Sequence, residues 1–127
     1  MKVTLFGLEP CAKARPRVTK THTYMPPAYR VWQDKFCQLW HNCVPRVPPF
    51  EERVCIKILW TTPTGLMKPD EDNSEAAVWD ALVKVGILKD DSSKYVGEGA
   101  HRIQVGPLAT RIVITPYVIS AAPWPVE

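Results

Sequence analysis

Lys68-Pro-Asp-Glu-Asp-Asn-Ser-Glu-Ala-Ala-Val-Trp-Asp-Ala-Leu-Val83 is the stretch whose reading decides the fold. Its second half carries Ala77, Val78, Ala81 and Leu82, continued by Val85, at the three- and four-residue spacing of a helix with one buried face. Gly86 follows as a C-cap. The expected helix runs from about 74 to 85, with Asp72 or Asn73 as N-cap and Glu75 placed favourably for the macrodipole. Pro69 holds its predecessor extended, so Lys68 to Asp72 is expected as an extended lead-in. On such a segment Asp70 and Asp72 point to the same side, with Cα atoms roughly 6.5 Å apart. Asp80 and Lys84 form an i,i+4 pair in the better orientation, a sufficient structural reason for Asp80.

Outward from this stretch the chain alternates. On its N-terminal side, Arg53 to Trp60 places Val54, Ile56, Ile58 and Trp60 on one face of a strand. On its C-terminal side, Ile87-Leu-Lys-Asp-Asp91 is a short return. Lys94 to Val105 reads as a strand interrupted by Gly97 and Gly99, and Arg111 to Pro116 as a further strand. Earlier in the chain, Lys2 to Leu8 is a first strand. Tyr29, Trp32, Phe36, Leu39, Trp40 and Cys43 then mark the apolar face of a helix from about 27 to 43, with proline in its first turn. The order strand, helix, strand, helix, strand, strand implies an α/β (α+β) fold: one domain, with a mixed four-stranded sheet and two helices packed against it. Residues 1–119 form that domain, and 120–127, with Pro123 and Pro125, form a loose tail.

Charge is distributed unevenly. Seven of the thirteen acidic residues lie between Asp70 and Asp91, in a chain of formal net charge +3. Like charges so close repel unless a cation is present, and carboxylate oxygens suit a hard cation such as Mg²⁺, with Mn²⁺ as the alternative. Ala12 to Lys20 holds Lys13, Arg15, Arg17 and Lys20 and no acid, and Pro16 keeps it out of a helix. Forked arginines suit phosphate oxygens, so this extended basic arm is expected to contact a nucleic-acid backbone. An acidic cluster in a basic surround points to metal-assisted cleavage of a nucleic acid.

The composition sets bounds. With 127 residues and 46% apolar content, the chain can bury a real core, which argues against disorder. Its apolar runs stop well short of the ~20 residues of a membrane span, and Met1 to Phe6 is too short and strand-like for a signal peptide. A cytoplasmic location away from membranes is expected. Cys11, Cys37, Cys43 and Cys55 lack zinc-site spacing and read as free thiols. His22, His41 and His101 read as structural residues.

Lys68-Pro-Asp-Glu-Asp-Asn, then Asp80-Ala-Leu, Gly86 and Asp90-Asp91, resemble the signature of the RusA family of Holliday junction resolvases. Lys13-Ala-Arg-Pro-Arg-Val-Thr and Tyr24-Met-Pro resemble the N-terminal pattern of its phage-type members, so the likeness extends over roughly residues 3 to 117. The resemblance implies a homodimeric, Mg²⁺-dependent endodeoxyribonuclease. Such enzymes nick two strands of a four-way DNA junction symmetrically, leaving 5′-phosphate and 3′-hydroxyl ends. It implies Asp70, Asp72 and Asp91 as catalytic metal ligands, and it adds Lys68 to Lys13, Arg15, Arg17 and Lys20 as DNA contacts. Five tryptophans in so small a domain are expected to leave apolar surface for the dimer. In one position the chain departs from the pattern. The family commonly carries a catalytic lysine four residues after the second Asp, where this sequence has Ala76. Lys68, Lys89 or Lys94 would have to supply that charge. Otherwise the protein binds junctions and cleaves them weakly or not at all.

Overall fold

The structure is a computed structural model that describes residues 1–67 and 70–117, apart from the side chain of Arg17. The tail from Ser120 onward and the lead-in residues Lys68 and Pro69 lie outside the described residues. Eight elements follow one another: β1 (Lys2–Phe6), β2 (Arg17–Val18), β3 (Thr23–Tyr24), α1 (Pro27–Cys43), β4 (Val54–Thr62), α2 (Glu71–Lys84), β5 (Val96–Val105) and β6 (Ala109–Pro116). β1, β4, β5 and β6 form one sheet in the order β1-β6-β4-β5. β6 is antiparallel to both neighbours, with Ile112 opposite Val3 on one side and Ile58 on the other. β5 is parallel to β4, with His101 opposite Ile58. This is the expected mixed four-stranded sheet with two helices.

Alternation along the strands makes the core. Val3, Leu5, Ile56, Ile58, Trp60, Ile112 and Ile114 are buried on one sheet face. The helices cover that face with Tyr29, Trp32, Phe36 and Trp40 from α1 and with Ala77, Val78, Ala81 and Leu82 from α2. Tyr29 stacks on Trp32 and Phe36 on Trp40, with ring centroids 6.1 and 6.0 Å apart. Each such ring contributes about 1.5–3 kcal/mol by leaving water. Trp32, Trp40 and Trp60 therefore belong to the core, and the expectation that tryptophans supply a dimer surface is corrected for those three. All four cysteines are free thiols.

Three local expectations are also corrected. The basic arm is not simply extended: β2 and β3 pair as a small hairpin, closed by the Thr19 N–H and hydroxyl, each 2.8 Å from the His22 carbonyl. The last helix begins three residues earlier than its apolar stripe suggested, at Glu71, and Asp70 is its N-cap. Asp70 Oδ1 accepts from the Asp72 and Asn73 N–H groups at 3.0 and 3.3 Å. That satisfies two otherwise orphaned donors and places Glu71 and Asp72 in the first turn, where the macrodipole favours acids. The extended Asp70–Asp72 arrangement does not form, since successive helical residues advance by about 100° and the two side chains leave the chain in different directions.

The third correction concerns Asp80. It does not pair with Lys84, which sits 3.3 Å from Asp34 on α1. Asp80 Oδ2 instead accepts from the Tyr29 hydroxyl and from Gln33 Nε2, both at 2.8 Å. A half-buried carboxylate between two helices finds better partners in fixed neutral donors than in a lysine free to reach solvent.

Candidate functional site

The acids gather at the N-terminal end of α2 because three segments are tied there. After β1 the chain is pinned to α1: Trp32 Nε1 donates to the Glu9 carbonyl at 2.8 Å, and Lys35 Nζ reaches Gly7 O and Glu9 Oε2 at 2.9 Å. It then crosses to α2, where the Lys13 N–H donates to the Asn73 carbonyl at 3.1 Å. The Lys13 ammonium continues to Asp91, with Nζ 3.7 Å from Oδ2. A single residue thus touches the first turn of α2 through its backbone and the return after α2 through its side chain.

That return is itself anchored. Gly86 leaves α2 at φ 87°, a left-handed conformation that favours glycine. Ile87 and Leu88 are buried, and their N–H groups both donate to the Leu82 carbonyl. The two acids that follow then divide. Asp90 Oδ1 accepts from the Ser92 N–H at 2.9 Å and builds the local turn, whereas Asp91 faces Lys13.

A second group of acids surrounds His101, whose part in the site sequence reasoning missed. His101 Nδ1 is hydrogen-bonded to Glu75, and its Nε2 lies 3.1 Å from Glu71 Oε2 and 3.8 Å from Asp72 Oδ1. The hydrogen bond to Glu75, and then the charges of Glu75, Glu71 and Asp72, hold the imidazole above its usual pKa against the opposing effect of burial. α2 comes this close to β5 because of Gly99. A Cβ there would collide with the Trp79 ring and the Glu75 carboxylate. The glycine that weakened the strand reading is what lets the helix lie on the strand. The available signal was the Glu71/Glu75 pair at i,i+4, a like-charge pair whose mild repulsion a cation between them offsets.

Of the expected DNA contacts, Arg15 and Lys20 are exposed, Lys20 at the tip of the β2–β3 hairpin, while Lys13 is half-buried against Asp91. Arg17 lies in β2, and Lys68 lies outside the described residues. Among the lysines considered for the charge missing at Ala76, Lys89 pairs with Glu51 at 2.5 Å and Lys94 lies 5.4 Å from the Tyr95 ring centroid. Lys13, not considered for that role, is the described lysine that meets Asp91.

The donor chemistry fits a hard divalent cation, since Asp70, Asp72 and Asp91 offer only carboxylate oxygens. Among the described residues, however, no three His, Cys, Asp or Glu side chains stand close enough together to hold a metal ion. The Asp72 side chain is 93% exposed, while that of Asp91 is 40% exposed and faces Lys13.

Comparison with curated proteins finds no match to this chain. The family model described as endodeoxyribonuclease RusA matches residues 7–115, a span that takes in the basic arm, both helices, the acids from Asp70 to Asp91 and His101. The chain belongs to the RusA endodeoxyribonuclease family.

Proposed function

We propose that this protein is a Mg²⁺-dependent endonuclease that resolves four-way DNA junctions by symmetric phosphodiester hydrolysis. The observation that carries this reading is the Lys13 bridge, which ties the start of α2 to the Asp91 return and sets a cation against the Asp91 carboxylate beside an exposed basic arm. Asp70, Asp72 and Asp91 would hold the metal. A divalent cation there supplies Lewis acidity toward phosphate oxygens and toward water. The chain's own residues do the rest. Asp70 sets the first turn of α2 through its cap, and His101 holds Glu71 and Glu75 beside it. Lys13 offsets carboxylate repulsion that would otherwise hinder a phosphate's approach. Arg15 and Lys20 extend the cationic surface to flanking phosphates.

Paired cuts need two copies of the site, and among the described residues each chain has one such site, so we propose a homodimer with C₂ symmetry. Junction binding with weak catalysis is the second reading. It is favoured by Ala76, an uncharged, half-buried residue on α2. One experiment separates them: cleavage of a synthetic four-way junction with Mg²⁺, set beside binding of the same junction in Ca²⁺ or EDTA. Paired nicks with 5′-phosphate ends are expected. Tight binding with no nicks in Mg²⁺ or Mn²⁺ would establish the second reading, and no binding at all would overturn both.

A further inference from the structure

The helices cover one face of the sheet, and the other face is open among the described residues. Strand register fixes what stands on it. One row across the four strands reads Thr4, Arg111, Leu59, Arg102, and the next reads Lys2, Val113, Lys57, Ala100. Lys2, Lys57, Arg102 and Arg111 are all exposed, and none forms an ion pair among the described residues. Leu59 and Val113 between them are only half-covered, and with Ala100 they floor a shallow depression walled by Lys57, Arg102 and Arg111. Adjacent strands lie about 4.8 Å apart, so Arg102 and Arg111, two strands apart, sit roughly 10 Å from one another. Among the described residues, the acid on this face is Glu98, beside Cys55 at its margin.

We propose that this open sheet face is a second DNA-backbone surface, which holds a duplex arm away from the bond that is cut. The proposal rests on the DNA-cleaving reading for the identity of its polyanion. Charge argues for the occupant. Four cations without partners among the described residues are well solvated in water, but they would repel if a second copy of the face were laid on them by two-fold symmetry. A phosphate backbone gains from each one through release of condensed counterions. Position argues the same way. β5 is an edge strand of the sheet. His101 on its inner side meets the acids of α2, while Arg102, the next residue, stands on the open side. One strand therefore separates the acidic cluster from the basic face. A branched substrate can meet both around the sheet edge, one strand at the acids and a diverging arm across the arginines.

The test measures binding of a four-way junction and of a plain duplex in EDTA, over a series of salt concentrations, so that no cleavage enters the readout. The double variant Arg102→Gln/Arg111→Gln changes two exposed side chains and should fold, which circular dichroism checks. For the junction, the slope of log affinity against log salt should fall by about 1.8, or roughly 0.9 for each phosphate no longer neutralised. The double variant Arg102→Lys/Arg111→Lys should restore the slope. A glutamine variant with the wild-type slope would overturn this surface while leaving DNA binding by the protein intact. A glutamine variant that loses its dimer in sedimentation would overturn it in favour of a second copy on that face. Failure of the wild-type protein to bind either DNA would overturn the surface together with the cleavage reading.

Discussion

Two stretches of α2 carry the same kind of side chain in opposite circumstances. In its second half, Asp80 is half-buried and accepts from two neutral donors of α1, Tyr29 and Gln33. Burial first, and then the bond to Asp80, push the Tyr29 hydroxyl far above its usual pKa, so that it stays a donor at every physiological pH. At the N-terminal end, Asp70 and Asp72 are exposed, Glu71 and Glu75 flank one histidine, and Asp91 on the neighbouring return faces one lysine. A carboxylate satisfied by fixed neutral donors has no capacity left for a ligand and works as a clasp between helices. Carboxylates crowded at a helix start, with a charged partner on only part of their surface, keep lone pairs and charge to offer. The difference lies in what surrounds each acid, which sequence spacing alone does not report.

That contrast breaks most visibly through the cluster. Asp72→Asn and Asp91→Asn should each lower junction cleavage by at least the ~10²–10³ that loss of one electrostatic group at a reacting centre costs. Asp72→Asn should leave stability within about 0.5 kcal/mol, as is usual for an exposed site, and Asp91→Asn should cost at most the ~1 kcal/mol of a partly solvated ion pair with Lys13. Asp70→Asn should behave likewise, because asparagine is as good an N-cap as aspartate and keeps the helix start. Gel assays of nicking beside urea denaturation check this. Near wild-type cleavage by any one variant would remove that residue from the site.

The clasp should give the reverse pattern. Asp80→Ala leaves the Tyr29 hydroxyl and the Gln33 amide without their acceptor in a half-buried seam, at a cost of about 1.5–3 kcal/mol. The urea midpoint should fall accordingly, while cleavage per folded molecule stays close to wild type. A cleavage defect in fully folded Asp80→Ala would show that the two stretches of the helix are not independent.

The same contrast marks how far sequence reasoning reaches. Strong periodicity located both helices and the central strand, since burial on one face imposes the spacing of Tyr29, Trp32, Phe36 and Trp40, and of Ile56, Ile58 and Trp60. The start of α2 was less legible. Its first turn has no buried residue before Ser74, so hydrophobic spacing carries no mark of it, and capping by Asp70 decides the boundary instead. Asp80 was assigned to the wrong partner because Lys84 is near in sequence while Tyr29 and Gln33 are near only after the helices pack. The partners of His101 are hidden in the sequence for the same reason: its register opposite Ile58 brings it under Glu71 and Glu75, and register belongs to the sheet as a whole.

His101 offers the smallest and most specific test of the exposed end. Its folded pKa is raised, chiefly by the bond to Glu75, so the charged ring contributes stability that is complete below the unfolded value of about 6.5 and disappears as pH climbs through the folded pKa. His101→Gln keeps a polar side chain of similar reach but cannot take up a proton. Without divalent metal, wild type should exceed the variant in urea stability at about pH 5.5, where the histidine is charged, by less than about 1 kcal/mol, the ordinary size of a partly solvated ion pair. At about pH 8.5 the excess should shrink, because the neutral ring keeps a hydrogen bond but loses its charge. An excess equal at both pH values would mean that the imidazole is held by packing on Trp60, whose ring centroid lies 5.6 Å away. The acids around it would then be, like Asp80, a matter of structure.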